Sequence, residues 1–298
     1  MNSPEKPFRS GFVTIIGRPN VGKSSMMNAM IGEKISIVSS KPQTTRSRIM
    51  GVLSDPLFQI VFLDTPGIHN PRTRLGEYMM NSVRDSMDGT DALLLIMDAT
   101  HITDHDLSIT EELKNKKIPA VLALNKIDLI RPDAVLKATA LVSEIGFDDI
   151  VPVSAKTGSG LDVLVSCLQK YLPSGPKYFP DDMITDQPER ILCSEIIREK
   201  ALRNLRDEVP HGIGVEILKI ETLSEQLTEI NATIYCERDS HKRIIIGKQG
   251  AMLRKIGSEA RADIEKLLNT HVNLKLWVKI RTDWRNNISD LKNLGYEP

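Results

Sequence analysis

The sequence predicts an α/β domain, a mixed six-stranded sheet with helices on both faces, followed by a smaller α+β domain. Three observations carry that expectation. Up to about Leu172, short apolar runs alternate with amphipathic segments, the pattern of strands joined by crossover helices in a mostly parallel sheet. Pro173, Pro176, Pro180 and Pro188 then punctuate a stretch without periodicity, which reads as an ordered or semi-rigid linker. Beyond it the segments follow the order αββααβ, so the domains are placed at 1–179 and 180–298.

In the first domain the strand candidates are Gly11–Ile16, Arg46–Leu53, Phe58–Leu63, Ala92–Met97, Ala120–Leu124 and Ile150–Val153. The gap around Asp55-Pro56 is too short for a helix, so the second and third runs should pair as an antiparallel hairpin at the sheet edge. In the second domain a helix over Glu189–Arg206 precedes two strands, Gly214–Leu223 and Leu227–Cys236. A helix, glycine turn and helix over Ser240–Asn269 and a strand at Val272–Ile280 complete it.

Composition narrows the function classes. With 41% hydrophobic and 26% charged residues the chain is an ordinary globular one, and 39 Lys plus Arg against 39 Asp plus Glu leave no global field to draw it onto nucleic acid or membrane. Any such contact must be local. Cys167, Cys193 and Cys236 are odd in number and widely spaced, which suits a reducing compartment better than a disulfide framework or a zinc site. Met1–Ser10 has no apolar signal core and no apolar run is long enough to span a bilayer, so neither secretion nor membrane spanning is expected.

The chemistry begins at Gly17-Arg18-Pro19-Asn20-Val21-Gly22-Lys23-Ser24, which follows a strand candidate and opens a helix continuing through Ser25. That is the context of a phosphate-binding P-loop: glycines let the backbone wrap phosphates, main-chain N–H groups and Lys23 supply positive potential, and the Ser24 hydroxyl can ligate Mg²⁺. Asp64-Thr65-Pro66-Gly67 ends the third strand, where the Asp64 carboxylate can hold the metal through water and the Gly67 N–H can meet a γ-phosphate. Thr44 and Thr45 lie where a hydroxyl could reach Mg²⁺ only when a third phosphate is present; Thr45 is preferred. Lys23, Thr45, Asp64 and Gly67 are therefore the expected catalytic set.

Asn125-Lys126-Ile127-Asp128 ends the fifth strand, and the Asp128 carboxylate can accept from both N1–H and the exocyclic amine of guanine, a pair that adenine lacks. A buried acceptor left unpaired discriminates strongly, roughly 10⁴-fold, so GTP and GDP are expected over adenine nucleotides. Ser154-Ala155-Lys156 follows the sixth strand and can offer a backbone N–H to the guanine oxygen.

With the phosphate loop GRPNVGKSS, the segment KPQTTR at 41–46, DTPG, NKID and SAK on the page, the chain resembles the translation-factor-class P-loop GTPases, and within them the Era family, through to Trp284. The resemblance implies a cytoplasmic bacterial GTPase that binds the 3′ end of 16S ribosomal RNA and assists maturation of the 30S subunit. DNA is not among the implied partners, and peripheral association with the cytoplasmic face of the inner membrane stays open. Many GTPases place Gln after D-x-x-G to orient the attacking water; here Ile68 stands there, as in Era-like GTPases, so hydrolysis should be slow or assisted. Asn20 resembles an asparagine that in related GTPases ligates K⁺, which implies K⁺-stimulated hydrolysis. Arg46 is read as solvent-facing rather than as an arginine finger, and His69 as a loop histidine rather than a general base.

In the second domain, Ile246-Gly247-Lys248-Gln249-Gly250 joins two helices, and a G-x-x-G there lets a nucleic-acid backbone approach closely. The element order and this turn resemble a type II KH domain. Residues 236–298 hold 13 Lys/Arg against 8 Asp/Glu, and Arg243, Lys248, Arg254 and Lys255 gather near the turn, where phosphate contacts would supply affinity. Trp277 is read as core, Trp284 is left open, and Arg198, Lys200, Arg203 and Arg206 are read as a solvated helix face. The rival reading is a GTPase whose second domain docks a protein or membrane, with RNA incidental.

Overall fold

The structure is a computed structural model that describes residues 7–39, 41, 44–69, 71–114, 117–206 and 209–296. Residues 1–6 and, within the KPQTTR segment, Pro42 and Gln43 lie outside the described residues. By its internal contacts the chain forms two compact units, one built from 1–36, 45–69 and 80–186 and the other from 37–44, 70–79 and 187–298.

The first unit carries β1 (Arg9–Ile16), α1 (Lys23–Ile31), β2 (Ile49–Ser54), β3 (Phe58–Asp64), β4 (Ala92–Asp98), α3 (Asp104–Lys114), β5 (Ala120–Asn125), α4 (Pro132–Ser143), β6 (Asp149–Pro152) and α5 (Leu161–Lys170); α2 (Arg74–Met87), between β3 and β4 in the chain, groups with it from Met80 on. The six strands run in the order β2-β3-β1-β4-β5-β6, parallel except for the β2–β3 hairpin. Successive residues of β4 and β5, such as Leu93, Leu94, Leu95, Leu122 and Ala123, are all buried, the mark of a sheet covered on both faces. One core joins Val13, Ile15, Phe62, Leu94 and Ile96 to Met26, Met27, Leu164 and Leu168 of α1 and α5.

The proline-rich stretch is fixed rather than loose. Gln59 holds it at Tyr178 and Phe179, whose N–H groups donate to Oε1 at 2.8 and 3.0 Å, while Nε2 donates to the Phe179 carbonyl at 2.9 Å. Further on, Val52 N–H donates to the Ile184 carbonyl and Thr185 Oγ1 to the Met50 carbonyl, so the stretch runs along the outer edge of β2. Phe179 and Met183 pack on Met50, Val52, Val61 and Leu63. The first unit therefore continues to Asp186, beyond the proline at which the sequence suggests a boundary.

The second unit has α6 (Glu189–Asn204), β7 (Gly214–Ser224), β8 (Leu227–Cys236), α7 (Asp239–Ile246), α8 (Ala251–Leu268), β9 (His271–Ile280) and a short α9 (Ile288–Asn293). β7 pairs antiparallel and β9 parallel with β8. Ile197, Ile217, Ala232, Ile234, Ile256, Ala260 and Ile264 form the core between sheet and helices. The reading of Trp277 as core is corrected: β9 alternates, its Val272, Leu274, Leu276 and Val278 face the helices, and Trp277 stands 45% exposed on the opposite face. Trp284, by contrast, is fully buried, its Nε1–H donating to the Gly212 carbonyl at 3.0 Å and its ring stacked on Tyr296.

Candidate functional site

Three strand ends, those of β1, β3 and β5, place the first site. After β1 the chain turns through Gly17, Asn20 and Gly22 at φ of 145°, 66° and 103°, and Gly22 leads into α1 at Lys23. Such conformations are what keep a run of main-chain N–H groups pointing into one concavity. Lys23 is buried, and its Nζ donates to the carbonyls of Gly17 and Arg18 at 3.1 and 3.0 Å, curled back over the loop. Burial lowers the Lys23 ammonium to about 8, with Asp64 acting in the other direction. Arg18 turns outward to Asp106, Nε to Oδ1 at 2.7 Å, while Val21 is buried and Pro19 lies against Gly67.

Asp64 is the hub of the metal question. Its Oδ2 accepts from Ser24 Oγ at 2.6 Å, from Ser36 Oγ at 2.8 Å and from Thr45 Oγ1 at 3.5 Å, and the hydroxyls of Ser24 and Thr45 are 2.9 Å apart. Its Oδ1 is buried with no hydrogen-bond partner. Burial pushes the Asp64 carboxyl up, against the three hydroxyls and the Lys23 ammonium, which favour its charged form. An orphaned carboxylate oxygen beside hydroxyl oxygens is a hard-donor set that fits Mg²⁺. Thr44, in contrast, bonds the Lys41 carbonyl at 2.6 Å. Ser36 was not expected here; Asn28 positions it by accepting from the N–H groups of Ile35 and Ser36, and nothing local in the sequence signals that role.

Past Asp64, Thr65 Oγ1 donates to the Ile15 carbonyl and the Ile68 N–H to the Gly17 carbonyl, so Thr65-Pro66-Gly67-Ile68 folds back onto β1 and the phosphate loop. Gly67 is required there, because an added Cβ would lie 2.7 Å from Pro19 N. His69 Nδ1 lies 3.0 Å from the Gly67 carbonyl. Arg46 corrects its expectation: at 2% exposure it is enclosed next to Thr45, also buried, as the chain enters β2.

The base-reading motifs converge on the same loop. Asn125 Nδ2 donates to the Val21 carbonyl at 2.8 Å and its Oδ1 accepts the Ala155 N–H at 3.0 Å. Lys126 reaches the Asn20 carbonyl at 2.9 Å and Asp98 at 2.6 Å. Asp128 accepts from Ser154 Oγ at 2.7 Å, which holds one carboxylate oxygen in place; Lys156 is exposed.

The second site is built on α7 and α8. Gly247, at φ 70° and ψ 175°, ends α7, and Gly250, at φ 78°, opens α8, with Lys248 and Gln249 between them. Arg254 reaches back to the Gln249 carbonyl at 2.6 Å, and Lys255 lies near Glu259. An open groove of about 410 Å³ runs along α8 past Gly250, Leu253, Arg254 and Arg261 to Leu274 and Leu276 of β9. Ile246, the last residue of α7, is half-buried. Arg261 escaped the sequence reading, although its spacing from Gly250 and Arg254 keeps it on one helix face.

The α6 basic series is also corrected. Arg206, past the end of α6, is exposed as expected, but Arg198 and Lys200 are 1% and 6% exposed and Arg203 is half in solvent. Arg198, Lys200 and Arg203 pair with Glu195, Glu199 and Asp263.

Residues 12–126 match the family model described as 50S ribosome-binding GTPase, and residues 208–285 match the KH domain model. The protein described as GTPase Era from Clostridium botulinum (strain Eklund 17B / Type B) is 53% identical over 97% of this chain and 99% of its own length. That of Clostridioides difficile (strain 630) is 50% identical over the same shares. Among solved structures, Era in complex with MgGDPNP and nucleotides 1506–1542 of 16S ribosomal RNA superposes with a TM-score of 0.94 at 40% identity, covering 98% of this chain and all of that one. A variant of Aquifex aeolicus Era bound to GDP·AlF4⁻ matches with the same score, identity and coverage.

Proposed function

Because this chain belongs to the Era family of GTPases, we propose that it is a GTP-hydrolysing switch whose KH unit binds the 3′ end of 16S ribosomal RNA and assists assembly of the 30S subunit. Its place of work is the cytoplasm, where that subunit is made. The observation that carries the reading is the presence, on one chain, of a P-loop site with Asp128 held by Ser154 and a G-x-x-G turn beside a groove lined by Arg254 and Arg261.

The residues divide the task. Main-chain N–H groups of 17–24 and Lys23 would cradle the phosphates, with Lys23 leaving the Gly17 and Arg18 carbonyls to meet them. Asp128 would read the guanine edge while Asn125 ties its strand end to the phosphate loop, and Ala155 would face the guanine oxygen. Ser24, Thr45 and Asp64 would hold Mg²⁺, which neutralises charge on the phosphate oxygens when bound. The Gly67 N–H would meet the γ-phosphate, so its presence orders the 64–68 turn and the residues near Thr45, and its loss releases them. In the KH unit, Gly247 and Gly250 would admit the RNA backbone to Lys248, with Ile246, Gln249, Arg254 and Lys255 around the bases and phosphates.

Binding of the full chain to an RNA oligomer of the 16S 3′ end, against a scrambled oligomer, with GTP analogue and with GDP at fixed salt, tests the whole reading. The expected result is tighter binding to the native oligomer, strongest with GTP analogue and lost in Gly247→Asp plus Gly250→Asp. Equally weak binding in all four combinations would leave the GTPase standing and remove RNA as its partner.

A further inference from the structure

We propose that Asp98, the last residue of β4, is a positioning residue for nucleotide binding: through Lys126 it ties the segment proposed to read guanine to the phosphate loop. In the register of β4 against β5, Asp98 lies beside Asn125, and the next N–H, that of Ala99, donates to the Asn125 carbonyl at 2.8 Å. Both carboxylate oxygens are engaged. Oδ1 accepts from the N–H and the hydroxyl of Thr100 at 3.0 and 2.6 Å, which leaves Oδ2 for Lys126 Nζ at 2.6 Å. The same ammonium donates to the Asn20 carbonyl at 2.9 Å. The end of β4, the turn after β5 and the bend of the phosphate loop, far apart in the sequence, thus meet on one lysine head.

Net stability does not account for this arrangement. The Asp98 and Lys126 side chains are 15% and 31% exposed, and ion pairs that water reaches contribute little to folding. Lys126 is moreover held at φ 70° and ψ 31°, a left-handed conformation that disfavours any residue with a Cβ. A lysine head is a point charge on a flexible stem, and one carbonyl acceptor does not fix it. Asp98 supplies the second anchor, itself locked by Thr100, and the bond between the two charges is stronger than a neutral one. The phosphate loop is braced from the same side at Arg18, whose Nη2 donates to the His101 carbonyl at 3.1 Å, while the His101 N–H donates to the Asp98 carbonyl at 3.0 Å. The turn 98–101 is therefore an outer wall of the phosphate loop, and a nucleotide that fills the loop gains from a lysine already in place.

Asp98 has this role only if 125–128 is the guanine-binding motif, as proposed above, and a double-mutant cycle in the full chain separates the two. Asp98→Ala should weaken GDP and GTP-analogue binding alike by on the order of tenfold, and raise the KM for GTP with kcat held within about twofold, the mark of lost uniform binding. In the Lys126→Ala background the same substitution should change GDP affinity by less than about twofold, because the group it acts through is gone. Thermal melts without nucleotide report on the fold. Asp98→Asn, which keeps the size of the side chain and one acceptor, runs the same cycle with an expected loss of about threefold. If Lys126→Ala weakens GDP binding and neither Asp98 variant does, the inference is overturned and the guanine motif stands. If Lys126→Ala leaves GDP binding unchanged, both fall. If the loss on Asp98→Ala is as large without Lys126 as with it, Asp98 serves the fold alone and the inference is again overturned.

Discussion

At the scale of single residues, Lys23 makes the site responsive to pH. Its ammonium, brought down to about 8 by burial, regains its usual proton affinity when phosphates approach, so nucleotide binding takes up a proton above that pH. GDP affinity should be flat below about 8 and fall by up to about tenfold per pH unit above it, as titration calorimetry in buffers of different ionisation enthalpy would register. For the protein without nucleotide the sign is opposite. The folded value lies below the ordinary 10.5, so the cost of the buried charge is complete below about 8, and this group's contribution to stability rises as pH climbs from 8 to 10.5. Thermal melts across that window, with Lys23→Met as reference, check it. Asn20 suggests a second test: it sits at φ 66° at the bend of the phosphate loop with its side chain exposed. Replacing K⁺ by Na⁺ at constant ionic strength is expected to slow hydrolysis, and equal rates would remove K⁺ from the scheme.

At the scale of elements, the two glycines of the G-x-x-G turn differ. Gly247 lies in a region of backbone space reserved for glycine, and an added Cβ would stand 2.7 Å from Met252 Cβ and 2.9 Å from Met252 N. Gly250 is left-handed but open, with only Arg254 Nε as near as 4.0 Å. Gly247→Ala should therefore cost about 1–3 kcal/mol in chemical denaturation, whereas Gly250→Asn should cost under about 1 kcal/mol. The same contrast explains what was legible in the sequence. Phosphate loop, hairpin and helix–turn–helix could be read because each is local: glycines, a short gap or a spacing within a few residues. The outward Trp277 was also legible, since Asn273, Lys275 and Lys279 share its alternation, although the apolar area of an indole argues for burial against that register. Arg46, Arg198, Glu199 and Ser36 were not legible, because burial of a polar side chain depends on partners far along the chain, such as Val38 for Glu199 or Asp64 for Ser36.

For the whole molecule, equal numbers of acidic and basic residues mean that RNA affinity must come from a local patch, and the α7–α8 face with Arg254 and Arg261 is the one proposed. Binding should weaken linearly in the logarithm of salt concentration, and Lys248→Ala or Arg254→Ala should each lower that slope by about 0.7, the increment for one phosphate contact on a single strand. Filter binding from low to moderate salt would measure it.

The stretch 178–185 along β2 has a consequence for how the protein behaves in company. β2 ends its sheet, and the Val52 N–H and Met50 carbonyl that such a strand would offer to a neighbour are taken by Ile184 and Thr185. A bare strand of this kind invites another copy to pair with it. The connector thus guards the molecule against self-association as well as joining its parts. A protease nick after Phe179 should yield an N-terminal piece that oligomerises by light scattering, and a cut after Asp186 should leave that piece monomeric.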